Sequence, residues 1–286
     1  MKPAAFNYAK PSSIDEVLGL LEQYGDEAAI LAGGQSLMPT LNMRLSTPSL
    51  IIDINGLDSL CGISVESDHL RIGALTRYVE IENSENIKTY APLIAMAMPS
   101  IAHPAIRNRG TIGGSVAMAD PAAELPACLC ALRAQIEITG QEGVRKVAAK
   151  DFFKALYETA VRDDEILTAI EIPKLGKGFY SAFDELARRH GDYAMCGVAA
   201  HAHVISNVIS DLTLVFFAVG GTPVIATNVM AVMEGKAVDD EAIATAQSTL
   251  QNDLEPFGDL HCSADLRMHY AKELTKRVLN NLSTSG

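Results

Sequence analysis

The chain has 286 residues, enough for about two domains with proper cores, and its 23 Lys+Arg against 35 Asp+Glu leave a net charge of −12. That surplus repels polyphosphate, so nucleic acid and anionic membranes are excluded as natural partners. Hydrophobic residues at 48% and charged residues at 20% describe a globular chain rather than a disordered one.

No apolar run approaches the ~18 residues needed to cross a bilayer, and the opening Met1–Asn7 lacks the apolar core of a signal peptide. The five cysteines at 61, 128, 130, 196 and 262 are odd in number and scattered, which implies reduced thiols in a cytoplasm. Neither structural zinc nor an iron–sulfur centre is expected on this chain.

In chain order, a short strand leads to a helix whose start is marked by Ser13-x-x-Glu16 and whose end is marked by Gly25. Ala28–Leu31 is of strand length and runs into Ala32-Gly33-Gly34-Gln35-Ser36, after which 37–44 can form a helical turn or two. The buried strand 50–54 closes at Asn55-Gly56. A second α/β unit spans about 60–172, with a helix expected from an Asp120 cap and Pro121 to about Leu132, then a strand at Ile166–Pro173. The segment 174–178 reads as a linker. Beyond it, long strands are expected over 194–205 and 212–219, then helices at about 227–234, 239–250 and 264–282. Strands followed by helices indicate a separate α+β unit. The expected division is 1–175, with subdomains of about 1–56 and 57–175, and 176–286.

Two segments carry chemistry: Ala32-Gly33-Gly34-Gln35-Ser36 and Arg109-Gly110-Thr111-Ile112-Gly113-Gly114-Ser115. Adjacent glycines can take positive φ and leave successive N–H groups uncovered for an anion. Two such loops converging would suit a diphosphate, with Ser36, Thr111 and Ser115 adding hydroxyls. Neither fits G-x-G-x-x-G or G-x-x-x-x-G-K-[ST], so a Rossmann or P-loop site is unsupported. Loop arginines such as Arg107 more often pair with carboxylates than with phosphate. His201 and His203 lie two apart on one strand face with no third metal ligand in view, and Cys128 and Cys130 read as helix packing.

The two glycine segments, extended as Leu37-x-Pro39-x-Leu41-x-x-Arg44 and preceded by Ile106-Arg107-Asn108, together with Ala119-Asp120-Pro121-Ala122-Ala123-Glu124-Leu125-Pro126, resemble one family. It is the FAD-binding medium subunit of the molybdenum hydroxylases, the group of carbon monoxide, quinoline, nicotine and xanthine dehydrogenases. The likeness runs from Phe6-x-Tyr8 to the helical tail. It implies an α+β architecture: a two-part α/β FAD-binding domain of the vanillyl-alcohol-oxidase type, followed by a smaller α+β domain of antiparallel sheet plus helices. It further implies that Ala32, Gly33, Gly34, Gln35, Ser36 and Leu37 clasp the FAD diphosphate with Thr111, Gly113, Gly114, Ser115 and Ala117. Ile101, Ala102 and Tyr193 would lie along the flavin, Glu124 would meet the nucleotide portion, and Leu167 would make an apolar contact.

By the same resemblance the chemistry resides on FAD, with no catalytic side chain and no metal on this chain. Molybdopterin would sit on a large subunit and [2Fe-2S] clusters on a small one, two such three-subunit units forming a heterohexamer. A stand-alone FAD-dependent oxidoreductase on this scaffold is the alternative. Two departures matter. Asp184-Glu185 stands where several relatives carry a lysine, and no cysteine-bearing insertion marks the branch that reduces 4-hydroxybenzoyl-CoA.

Overall fold

The computed structural model describes residues 2–285, and its first element of order is a parallel three-stranded sheet. Leu50–Asp53 is its centre, flanked by Asn7–Ala9 and Ala28–Leu31. The helix Ile14–Tyr24 makes the crossover and buries Val17, Leu18 and Leu21 against Leu50, Ile52 and Ile54. Ser13 Oγ accepts from the Glu16 N–H at 3.2 Å, while the Glu16 carboxylate returns to the Ser12 N–H at 2.7 Å rather than to Ser13. The reciprocal bond of the expected capping box is thus displaced by one residue. Gly25 ends the helix at φ +51°, where a Cβ would be strained.

The second sheet has five strands, all paired antiparallel, in the order Ile63–Val65, His69–Gly73, Ile166–Pro173, Gln135–Gly140, Gly143–Ala148. Ile166–Pro173 enters last and fills the middle, so it is buried along most of its length. The helices Pro92–Ala97, Ile112–Met118 and Glu124–Ala131 lie between the outer strands in sequence and supply much of the core that includes Ile72, Ile136 and Ile170. Two buried carboxylates at this sheet have partners: Glu165, just before the central strand, meets Arg145 at 2.6 Å, and Glu171 within it meets Lys146 at 2.7 Å. The helix expected from Asp120 begins instead at Glu124. The Asp120 carboxylate accepts from the Ala122 N–H at 2.9 Å, closing a side-chain turn, and the Pro121 carbonyl accepts from Ala218 N–H at 2.8 Å.

The third sheet is antiparallel: Phe179–Leu186, Cys196–Ile205, Val208–Phe217 and Val224–Ile225. Its alternation sends Val198, Ala200 and Ala202 toward the helices Thr227–Met233, Asp240–Thr249 and Ala264–Ser285. Ala199, Val215 and Phe217 face the other way and join the core of the second sheet, with Leu125 and Leu129 of the Glu124–Ala131 helix. The three helices fall where the sequence periodicity puts them. The strand Phe179–Leu186 was hidden because it alternates weakly and carries Asp184 and Glu185. The second long strand begins at Val208 rather than Leu212, because a tight turn at Ser206-Asn207, both at positive φ, joins it to its neighbour. The mixed fold expected from the sequence, a helix-and-sheet part first and a smaller antiparallel sheet with helices after it, is the fold observed.

Ile170 is fully buried between Ile72 and Ile136 on the central strand of the second sheet. Ile170→Ala is expected to cost about 2–5 kcal/mol, read as a lower denaturant midpoint at unchanged slope.

Candidate functional site

The two glycine loops converge although 70-odd residues separate them in sequence. A Cβ on Gly33 would run into the Arg109 carbonyl oxygen and lie 2.9 Å from Gly110 Cα, and one on Gly114 would come within 3.9 Å of the Ala32 Cβ. The contact needs a glycine at position 33, whereas Gly114 meets Ala32 at ordinary contact distance. Loop one leaves the parallel sheet at the end of Ala28–Leu31 and enters the short helix Leu37–Asn42. Loop two runs along the segment 74–78: Tyr78 N–H donates to Gly110 O (3.0 Å), Ile112 N–H to Thr76 O (3.1 Å) and Gly113 N–H to Ala74 O (2.9 Å).

The loops differ in what they offer. Gly34 is at φ +72°, and among the described residues the N–H groups of Gly33, Gly34, Gln35 and Ser36 donate to no protein acceptor. Gly33, Gly34 and Gln35 line a cavity of about 480 Å³ with Leu31, Ala32, Met38, Ile106 and Arg109, and Ser36 follows just off its wall. Four successive free amides, three of them from residues on the cavity wall, suit an anion such as a diphosphate. In loop two, by contrast, neither Gly113 nor Gly114 has positive φ, which corrects the expectation of a second nest. They form the first turn of the Ile112–Met118 helix, and the Gly114 N–H is taken by the Thr111 hydroxyl at 3.2 Å. Thr111 is buried as that helix's cap, and the Ser115 hydroxyl is hydrogen-bonded to Tyr78. Gly113 packs its Cα side on Ala74, so its smallness serves helix–strand contact. Ala117, one turn on, is exposed.

Arg107 is structural. It pairs with Glu82 at 3.0 Å and donates to the carbonyls of Ile101 (3.0 Å) and Ala102 (3.3 Å). That bond holds the Ile101-Ala102 turn, whose Ala102 sits at φ +49°. The Gly191 backbone packs directly on it, since a Cβ there would lie 2.6 Å from Ala102 O and 2.7 Å from the His103 ring. Ile101-Ala102 and the loop that carries Gly191 and Tyr193 are therefore in contact through Gly191. Tyr193 is 73% exposed and lines a second cavity of about 490 Å³ with Asp120, Tyr157, Arg188, Phe257 and Arg267. Leu167 is not on either cavity wall; it is buried in the core beside the strand irregularity at 167–169.

Glu124 opens its helix with 8% exposure. Burial pushes its carboxyl up to about 8, assisted by the nearby charges of Glu185 and Asp120 against a bond from its own N–H. Glu185 is pushed up to about 7 by burial and by Asp184, against a hydrogen bond from Ser100. Its Oε2 is buried without a partner, whereas Asp184 reaches Arg277 at 3.3 Å. Away from the loops, the buried His201 hydrogen-bonds Ser181 at 2.8 Å and stacks on Phe179, so it serves the sheet. Cys128 and Cys130 are buried packing residues of their helix. Sequence reasoning passed over Asn55 and Arg77, which link the two loops; an Asn-Gly turn and an isolated arginine gave no signal of it.

The glycine-walled, amide-rich cavity suits an anionic ligand, and the cavity beside Tyr193 offers an aromatic wall. Comparison with known proteins gives the particular group. Residues 4–175 match the FAD binding domain in molybdopterin dehydrogenase, and residues 181–282 match the CO dehydrogenase flavoprotein C-terminal domain. The chain is 37% identical over 280 residues to the 6-hydroxypseudooxynicotine dehydrogenase complex subunit alpha of Paenarthrobacter nicotinovorans, covering 98% of this chain and 95% of that one. Among solved structures it superposes with a TM-score of 0.95 on quinoline 2-oxidoreductase from Pseudomonas putida 86 (36% identity, 100% and 99% covered). It superposes equally, at 0.95, on carbon monoxide dehydrogenase from Hydrogenophaga pseudoflava (35% identity, 98% of each chain). The chain belongs to the FAD-binding medium subunits of the molybdenum hydroxylase family, an oxidoreductase family. No helix among the described residues is long and apolar enough to cross a membrane.

The raised carboxyls set a pH dependence for the flavin-free chain. Between the ordinary Glu value of 4.5 and about 8, the folded chain keeps the Glu124 proton that the unfolded chain has lost. Stability therefore falls as pH rises through that window. Glu124→Gln is expected to flatten the slope of the unfolding free energy against pH, most clearly between pH 5 and 7.

Proposed function

We propose that this chain clasps one FAD, with the diphosphate on the amides of Gly33, Gly34, Gln35 and Ser36. Ala32 and Leu37 bound that loop. Thr111, Gly113, Gly114, Ser115 and Ala117 would face the cofactor from behind Arg109, on a helix start whose Gly113 and Gly114 amides are already paired within the protein. The ring would rest between Ile101-Ala102 and Tyr193, with Glu124 toward the ribityl and nucleotide portion and Leu167 supporting from the core. The observation that carries this reading is the run of four backbone donors without protein acceptors, three of them from residues lining a cavity that Ile106 and Arg109 line from the second segment.

When bound, FAD supplies two-electron redox chemistry. The chain's own residues bind it, exclude water from its phosphates and orient its ring; no side chain need act as nucleophile. Asp184 and Glu185 would set a less positive field beside the ring than a lysine would, Glu185 carrying its proton near neutral pH. We infer that electrons arrive from [2Fe-2S] clusters of a small subunit, after hydroxylation at a molybdopterin centre in a large subunit, and leave to an external acceptor. Two three-subunit units would form the complete cytoplasmic assembly. The relatives' names support a multi-subunit setting: one is a "complex subunit alpha" and another a "medium chain".

The test is gentle purification of this chain with whatever accompanies it, followed by its visible spectrum and identification of the released cofactor. Oxidised-flavin bands, stoichiometric FAD, and iron–sulfur and molybdopterin signals from co-purifying chains are expected; a colourless chain that takes up no added FAD would sink the reading. Gly33→Val, which forces the loops apart at Arg109, is expected to abolish FAD retention in a chain that still folds. Stoichiometric FAD in that variant would refute the placement of the diphosphate.

A further inference from the structure

The two loops are tied together by side chains as well as by contact. Asn55, at the end of the Leu50–Asp53 strand, donates from Nδ2 to the Ala32 carbonyl at 2.8 Å and to Asp53 Oδ1 at 2.7 Å. Its Oδ1 accepts from Arg77 Nη2 at 2.5 Å, and Arg77 Nη1 donates to the Arg109 carbonyl. Asp53 is itself held: its Oδ2 accepts from the Tyr8 hydroxyl at 2.6 Å and its Oδ1 from the Asn55 N–H at 3.0 Å. The path therefore runs from the first sheet, through Asn55 and Arg77, to the second loop. Arg77 belongs to the segment on which that loop lies, being bridged to Thr111 and bonded through its own N–H to Glu80 at 2.7 Å.

The two carbonyls at the ends of this path belong to the residues just before Gly33 and Gly110. In a trans peptide the C=O and the following N–H point opposite ways. Anchoring Ala32 O on Asn55 therefore turns the Gly33 N–H away from Asn55, and that N–H has no protein acceptor. Anchoring Arg109 O on Arg77 fixes the very oxygen that a Gly33 side chain would strike. The residue types match the task. An amide can donate to Ala32 O and accept from Arg77 with one side chain, and a guanidinium fork can serve Asn55 and Arg109 O together in a fixed geometry.

We propose that Asn55 and Arg77 are positioning residues that set the separation and peptide orientation of the two loops for a dinucleotide diphosphate. This rests on the flavin reading above and adds two residues to it that line neither cavity. Asp53 and Tyr8 extend the brace outward. Burial works to raise the Asp53 carboxyl, but the bonds from Tyr8 and Asn55 and the charge of Lys10 outweigh it and hold the group below the usual range, as an acceptor.

The experiment titrates the flavin-free full-length chain with FAD, read by flavin fluorescence, and records its thermal midpoint alone. Asn55→Ala and Arg77→Lys are the informative variants, because one leaves charge unchanged and the other keeps it while losing the fork. Each is expected to weaken FAD binding about tenfold, the loss of one good hydrogen bond's worth of orientation. The double variant is expected to be weaker than wild type by clearly less than the product of the two factors, because both break one path. Variants that bind FAD within twofold of wild type while their midpoints fall would reduce the brace to a stability element and overturn the proposal. Full affinity in Arg77→Lys with loss only in Arg77→Ala would assign the effect to charge attraction, and also overturns it. A wild-type chain that binds no FAD would overturn the flavin reading itself, a distinct outcome visible before any variant is made.

Discussion

The arrangement depends on one steric contact: the backbone at Gly33 lies against the Arg109 carbonyl and Gly110 so closely that no side chain fits between. Everything that makes a cofactor site here follows from that closure. It brings the end of a parallel strand in the first sheet against a loop carried by the second, and so forms the cavity between Leu31–Met38 and Ile106–Arg109. The contact is intolerant of change because the opposing atoms are backbone, which cannot swing aside as a flexible side-chain end can.

The two loops look alike in sequence and do different work. In the first, Gly34 bends through positive φ and four amides are left without acceptors. In the second, every glycine is used for thinness: Gly110 beside the Tyr78 ring, Gly113 on Ala74, Gly114 at the Thr111 cap. The second loop is thus a rigid wall, already internally bonded, and the first is the receptive half. A rigid wall facing free donors is a pre-organised site, which loses little conformational entropy on binding.

Much of this was legible in the sequence. The helices after residue 226, the strands Ala28–Leu31 and Ile166–Pro173, and the Gly25 terminus follow from periodicity and punctuation. The glycine loops were visible as motifs, and their convergence as a chemical expectation. What could not be read was which glycines bend and which merely make room, since that depends on Ala74 and Arg109 arriving from elsewhere in the chain. The Asp120-Pro121 start misled because the same residues that cap a helix also close a side-chain turn, and a bond from Ala218 to the Pro121 carbonyl selects the turn. Asn55 and Arg77 were invisible for a related reason: their partners lie 23 and 32 residues away, on another loop in each case.

The central claim is that free amides of the first loop, facing a wall built by the second, hold a diphosphate. It is tested most directly by calorimetric titration of the flavin-free chain with FAD and, separately, with FMN, which shares the ring but has no diphosphate. The account predicts one FAD per chain and binding of FMN weaker by at least about a hundredfold, the loss of several charge-assisted bonds. Equal affinity for the two, or no binding of FAD, would contradict it.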